Sequence, residues 1–287
     1  MHNFHQDFTF TIRNDYAFKK LFASPEGRPV LREFLSLVLK IPKPELAEIT
    51  IENPFTLQAY SNTKQGILDL KLALQNGKKI NLEMQNQSQS FFPERILFYW
   101  ANRYTENFAI GENYSTLKKC INITLINDSF EYANTVHSLY KLINVDDSRE
   151  FDDLLELHFL NLSKIPASNP NEISLTKLSE LEKWLLFIRT NNSEVRSMLA
   201  KENTTLDYAN QTMNRFFSNK EERLQYEAAF RYECDRASLI AESHNKGVKQ
   251  GIQQEKNTIA KNLLALNIPI EDIVSATGLS EETILSL

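Results

Sequence analysis

Two carboxylates separated by a short turn are the residues of this sequence best placed for chemistry. Asp69 lies in residues 66–74 and Glu83 in residues 79–85, and in both segments a leucine, isoleucine or methionine occupies every second position. Such alternation is typical of half-buried β-strands. Carboxylate oxygens are ligands that Mg²⁺ prefers, often at sites where the ion activates water. The two segments therefore predict a β-hairpin and make its two carboxylates candidate metal ligands.

The turn between the two strands decides whether both carboxylates reach the same face. A two-residue turn would put Glu83 opposite Leu70, on the other face from Asp69. A three-residue loop of residues 75–77, whose glycine forms a left-handed bulge, puts Asp69 directly opposite Glu83. This register also keeps one face apolar, whereas a slip by one residue would mix the faces. We therefore predict the three-residue loop, with the two β-carbons roughly 4.5 to 5.5 Å apart.

A second interpretation of the same spacing is a polar, solvated sheet face, where aspartate and glutamate are common. Two facing carboxylates repel each other, and a bound cation would offset that repulsion. The spacing alone leaves both interpretations open.

Motifs around the hairpin resemble a known family. Asp69 followed by Glu83-Met84-Gln85 resembles a D…(D/E)XK signature in which glutamine replaces the final lysine. Residues 14–22 (NDYAFKKLF) resemble the D..FK.LF opening of the recombination-promoting nuclease and transposase-like branch of the PD-(D/E)XK superfamily. Further segments follow in that family's order: the helix at 93–104, the strands at 120–126, near 140 and at 154–162, and the tail at 259–280. The resemblance covers nearly the whole chain.

The resemblance implies an α/β fold, namely a restriction-endonuclease-like mixed β-sheet with helices on both faces and a helical C-terminal region. It implies a Mg²⁺-dependent DNA endonuclease, with Mn²⁺ as a substitute ion, linked to recombination or transposition. By analogy, Asp69 and Glu83 bind the metal, the carbonyl of Met84 is a further ligand, and Gln85 takes the place of the lysine that orients or activates water. The alternative is a catalytically degenerate nuclease fold that binds DNA or protein.

Gln85 is neutral, so it cannot stabilise developing negative charge as an ammonium group does. Lys71 is a candidate substitute because it lies on the same predicted face, diagonal to Glu83. Arg95 and Tyr99 form one helical stripe with Arg103 and are candidates to contact a phosphate or the carboxylates. A solvated helix face, or a solvated lysine, explains each of these residues equally simply.

Asp15 has two interpretations. The resemblance makes it a third acidic group of the site, while its position before an apolar stripe suits a helix N-cap, a role that Asn14 fits as well.

Composition limits the remaining possibilities. The formal net charge of −5 excludes a polycation that coats nucleic acid. Residues 1–10 lack a signal-peptide pattern and no segment is apolar enough to span a membrane, so we expect a cytoplasmic protein without membrane contact. Neither the two cysteines nor the five histidines have ligand spacing, and we expect reduced core cysteines. DNA is the expected partner, and a homodimer is possible.

We predict three regions: a nuclease core with extra strands at 1–165, a helical extension at 166–245, and a small tail at 246–287. Gly247 and Gly251 indicate a hinge before the tail, which then has two short helices near 259–266 and 270–276. The tail resembles a helix-turn-helix, but acidic residues follow Gly278 where a DNA-reading helix would need arginine or asparagine. A helical hairpin that contacts protein is therefore the better interpretation.

Overall fold

The computed structural model describes residues 9–52, 70–86, 91–165 and 169–287, and within them the chain forms a mixed six-stranded sheet. The strands are β1 (Thr50–Ile51), β2 (Leu70–Ala73), β3 (Lys79–Gln85), β4 (Cys120–Ile126), β5 (His137–Tyr140) and β6 (Leu155–Asn161). Their order in the sheet is β1-β2-β3-β4-β6-β5. Strands β3, β4 and β6 run parallel, and the other neighbours are antiparallel.

Strands β2 and β3 form the predicted hairpin in the predicted register. Leu70 lies opposite Leu82, and the backbone N–H of Leu74 donates to the carbonyl of Lys78 at 2.9 Å. Gly77 closes the three-residue loop with a φ of 81°, the left-handed conformation that glycine adopts without steric cost. The prediction of a three-residue loop is confirmed.

Helices cover both faces of the sheet, as expected. The apolar residues of β2 and β3, with alternate residues of β4, pack into one large core with six helices. These helices are α1 (Asp15–Ala23), α2 (Arg28–Leu39), α4 (Glu180–Arg189), α5 (Ser193–Glu202), α6 (Thr204–Phe216) and the N-terminal part of α7 (Lys220–Ala265), which contributes Tyr226 and Ala229. Helix α3 (Phe92–Thr105) connects β3 to β4 and lies on the opposite face, where Phe92 and Ile96 pack against Ile126 and Phe159.

The C-terminal part contains α7 (Lys220–Ala265), α8 (Ile270–Thr277) and α9 (Glu281–Leu285). The chain divides into two compact units, residues 1–229 and 230–287. The predicted hinge at Gly247 and Gly251 is wrong, because α7 continues through both glycines for 46 residues. A glycine inside a helix costs about 1 kcal/mol relative to alanine, which is too little to end a helix of this length. The first predicted tail helix is therefore the last part of α7.

The remainder of the tail is a helical hairpin, as predicted. Gly278 ends α8 with a φ of 66°, and the Ser280 hydroxyl accepts a hydrogen bond from the N–H of Thr283 to begin α9. Ala260, Ile273, Leu279 and Ile284 form a small apolar cluster of their own.

Both cysteines are free thiols, but they differ in environment. Cys120 is buried in β4, and burial raises the pKa of its thiol to about 12. Cys234 is exposed on α7, so the expectation that both cysteines belong to the core is wrong for this residue. Its helix is largely solvent-facing at this point, which a local apolar pattern does not reveal.

Candidate active site

Glu83 lies on the face of β3 that is turned towards α3, and it is buried, with 8% of its surface exposed. The parallel register places Glu83 beside Thr124 of β4 and Asn81 beside Asn122. The Thr124 hydroxyl donates to Oε1 of Glu83 at 2.7 Å, and Nδ2 of Asn122 donates to the same oxygen at 3.3 Å. The carboxylate is therefore held by two side chains of the neighbouring strand.

These donors belong to one connected network. Nδ2 of Asn122 also donates to the Thr124 hydroxyl at 3.0 Å, and the side-chain oxygen Oδ1 of Asn122 accepts from Nδ2 of Asn81 at 2.9 Å. All four side chains are buried, so the interpretation of this face as solvated is wrong at residues 81 and 83. Within the described parts of the chain, Oε2 of Glu83 accepts no hydrogen bond. The network thus satisfies one carboxylate oxygen and presents the other.

Gln85 and Arg95 come together next to Glu83. Gln85 lies two residues further along β3, and Nη2 of Arg95 donates to its side-chain oxygen at 2.7 Å. The Arg95 guanidinium also lies over the ring of Phe92, 5.0 Å from the ring centre. Arg95 is in the first turn of α3, so the helix start positions a permanent positive charge at the end of β3.

The backbone of β3 determines where the carbonyl of Met84 points. Carbonyl groups alternate in direction along a strand. The carbonyl of Gln85 accepts from the N–H of Asn127 at 3.0 Å, on the β4 side. The carbonyl of Met84 therefore faces the β2 side of the strand, the side on which Asp69 is expected from the sequence.

Asp15 is the first residue of α1 and is buried. The N-cap of this helix is Asn14, whose side chain accepts from the N–H of Ala17, so the capping role falls to Asn14. Asn86, the residue after β3, donates from Nδ2 to the carbonyl of Arg13 at 2.9 Å. This bond ties the segment before Asp15 to the end of the strand that carries Glu83 and Gln85.

Lys71 and Arg103 belong to a charge cluster near the turn of the hairpin. The Lys71 ammonium pairs with Glu106 at 2.9 Å, and the buried Arg103 pairs with both Glu106 and Glu52. Hydrogen bonds from Lys71 and Arg103 lower the pKa of the Glu106 carboxyl. Arg103 also donates to the carbonyl of Leu72 at 3.1 Å, so its role in the structure is to anchor the hairpin to α3.

Tyr99 lies about half-exposed on α3, and its ring packs edge-on against Phe98. Asp69 lies outside the described residues. The predicted role of Asp69 as a metal ligand therefore stays a prediction.

Sequence reasoning did not single out Asn122 and Thr124. The available signal was their spacing, because two polar residues at positions i and i+2 interrupt an otherwise apolar strand at 120–126. Residues two apart share one face of a strand. Only the pairing with β3, which the sequence does not reveal locally, shows that this face meets Glu83.

The mixed sheet with helices on both faces is a restriction-endonuclease-like α/β fold. The sequence model of the PD-(D/E)XK nuclease family transposases matches residues 12–243, and the chain belongs to that family. No curated protein and no solved structure matches it. The family resemblance predicted from the sequence is confirmed.

None of the helices in the described residues is both long and apolar enough to cross a membrane. In those same ranges no group of three or more histidine, cysteine, aspartate or glutamate side chains forms a metal-binding cluster. The carboxylate that the sequence pairs with Glu83 lies outside them.

Proposed function

We propose that this protein is a metal-dependent DNA endonuclease that hydrolyses phosphodiester bonds and acts in recombination or transposition. Membership of a nuclease family supports the general class. The observation that carries the proposal is the presentation of Glu83, whose Oε1 is held by Thr124 and Asn122 while its Oε2 accepts no hydrogen bond from the described residues. A buried carboxylate held in this way is suited to binding a cation.

The donor set fits a hard divalent ion. Oε2 of Glu83, the carbonyl of Met84 and the carboxylate of Asp69 would supply oxygen ligands for Mg²⁺, with Mn²⁺ as a substitute. Support for Asp69 comes from the hairpin register, because the observed pair Leu70 and Leu82 directly neighbours the predicted pair Asp69 and Glu83. When bound, such an ion supplies Lewis acidity that activates water and stabilises charge on the phosphate.

Gln85 and Arg95 would share the work that a lysine does in related sites. The side-chain oxygen of Gln85 accepts from Arg95. In the proposed site the amide NH₂ group of Gln85 would orient water or a phosphate oxygen. The guanidinium supplies the positive charge that glutamine lacks, and it binds phosphate oxygens well.

The glutamine at position 85 also favours the alternative, a catalytically degenerate family member that binds DNA or protein without cutting DNA. A neutral amide stabilises an anionic transition state less than an ammonium does. The two functions differ in one measurable respect, because only the nuclease breaks the phosphodiester backbone.

Nicking of supercoiled plasmid by the purified full chain tests the proposal, with Mg²⁺ and then with EDTA. The site variants are Asp69→Asn and Glu83→Gln, which remove a charge but keep the shape of the side chain. Glu94→Gln is the matched control, since it removes one charge from an exposed position of α3. We expect Mg²⁺-dependent nicking that falls about 100-fold or more in both site variants and is unchanged in the control.

Absence of nicking by the folded wild type with Mg²⁺ and with Mn²⁺ would support the binding-only alternative. Full activity in Glu83→Gln would overturn the assignment of the site. A homodimer and a location in the cytoplasm remain predictions, and analytical ultracentrifugation with and without DNA tests the first of them.

A further inference from the structure

We infer that Thr124 and Asn122 make the proposed site selective among divalent ions, because they leave Glu83 only one oxygen with which to bind. The two residues, called the Glu83 clamp below, are positioning residues that act through the carboxylate and do not touch the ion. The inference rests on the proposed function, since it requires Glu83 to be a metal ligand.

Both acceptor positions of Oε1 are used. A carboxylate oxygen has two lone pairs in its plane, and Oε1 accepts from Thr124 at 2.7 Å and from Asn122 at 3.3 Å. An ion that approached Oε1 would have to displace one of these donors.

The donors are also fixed in orientation. The side chain of Asn81 donates to Oδ1 of Asn122, which directs the side-chain NH₂ group of Asn122 towards Glu83 and Thr124. Because the Thr124 oxygen already accepts from Asn122, its own hydrogen points to Glu83. The bonds therefore run in one direction, from Asn81 to the carboxylate.

Because these donors are buried, water cannot become the hydrogen-bond partner of a donor that an ion has displaced. Thr124 is 0% exposed and Asn122 is 2% exposed. A buried donor without a partner is unfavourable because it has lost its hydration without gaining a hydrogen bond. Bidentate binding of an ion by Glu83 would create such a donor, whereas binding through Oε2 alone leaves the network intact.

This difference separates ions by their coordination chemistry. Ca²⁺ takes six to eight oxygen ligands and often binds carboxylates through both oxygens. Mg²⁺ is smaller, prefers octahedral geometry and keeps several waters, so one oxygen per carboxylate suffices. Mn²⁺ likewise suits octahedral oxygen sites. The Glu83 clamp is thus expected to disfavour Ca²⁺ relative to Mg²⁺ and Mn²⁺.

Metal binding by the full chain without DNA provides the test. The binding of Mn²⁺ is measured by electron paramagnetic resonance, and that of Ca²⁺ by its displacement of bound Mn²⁺. Thr124→Val removes the hydroxyl at nearly constant shape, and Thr124→Ser keeps it as the matched control. We expect Thr124→Val to raise the affinity for Ca²⁺ relative to Mn²⁺ about tenfold, or about 1.4 kcal/mol, and Thr124→Ser to retain the wild-type ratio.

A thermal unfolding curve establishes that each variant is folded. If Thr124→Val does not fold, Thr124→Cys replaces it, because a thiol is only a weak donor. If the hydroxyl has only a structural role, its removal in Thr124→Val changes the affinities for Ca²⁺ and Mn²⁺ by the same factor. That result, obtained while the wild type binds Mn²⁺, would overturn the selectivity role but not the proposed function. A wild type that neither binds Mn²⁺ nor nicks plasmid would overturn the proposed function, and the clamp with it.

Discussion

Arg95 and Lys71 are two cations of the hairpin region with different partners. Arg95 bonds to Gln85 at the end of β3, whereas Lys71 pairs with Glu106 near the turn. We expect Arg95→Ala to slow plasmid nicking about 100-fold, because it removes the positive charge beside the proposed metal site. Lys71→Ala, its matched control, is expected to keep a rate close to that of the wild type, since a partly exposed ion pair contributes little.

Initial nicking rates at saturating Mg²⁺ measure this difference. An equal loss in Lys71→Ala, with the fold intact, would assign the missing positive charge to Lys71, as its diagonal position to Glu83 suggested. Normal nicking by Arg95→Ala would leave Arg95 with a structural role at the start of α3.

At the residue scale, the sequence predicted which side chains share a face but not what each of them bonds. Asn81 and Glu83 follow from alternation within one strand, whereas Thr124 lies 41 residues beyond Glu83. His137 and His158 have no ligand spacing in the sequence, yet their rings are joined by a hydrogen bond of 2.9 Å across β5 and β6. Contacts of this kind depend on strand pairing, which no local pattern contains.

The turn of the hairpin, which contains Gly77, fixes the register of β2 on β3. Gly77 has a φ of 81°, where other residues are strained by roughly 1–2 kcal/mol. We expect Gly77→Ala to lower the free energy of unfolding by about that amount, and Gly77→Asn to lower it less, because asparagine tolerates this conformation. Urea unfolding of the two variants and the wild type measures both values. Equal losses would show that steric contact, not backbone conformation, makes glycine necessary there.

At the element scale, the loop length and the register were predictable because side chains alternate between the two faces of a strand. A shift by one residue would therefore mix apolar and polar side chains on each face. The structure at Gly247 was not predictable, because helix propensity is a weak local preference that a long helix overrides. Pro29 does not oppose helix formation, because it occupies the first turn of α2, where its missing N–H is not needed.

For the whole molecule, the sheet order is the feature that local patterns could not supply. The parallel pairing of β3, β4 and β6 brings together residues that are dozens of positions apart. The family resemblance, not periodicity, predicted this mixed sheet. The chain divides into two compact units at residue 230. The predicted boundaries of three regions, after residues 165 and 245, stay predictions.

The tail hairpin provides a test at this scale. Its apolar cluster shares no residue with the main core, so removal of residues 267–287 is expected to leave the main thermal unfolding midpoint and the nicking rate unchanged. Ile273→Asp is the matched variant, since it disrupts the same cluster without shortening the chain. Calorimetry and the plasmid assay measure the outcome. A parallel fall of the midpoint in both proteins would show that the tail supports the main unit.

Strand β3 carries a residue that anchors the hairpin at one end and a residue of the proposed active site at the other. At its turn end, Lys79 donates to the carbonyls of Arg103 and Glu106 and so joins the anchoring charge cluster. At the opposite end, Gln85 meets Arg95. Seven residues of strand span roughly 20 Å, which keeps the two sets apart. A change at Gln85 can therefore alter the chemistry at one end of the strand without disturbing the charge cluster that anchors the hairpin at the other end.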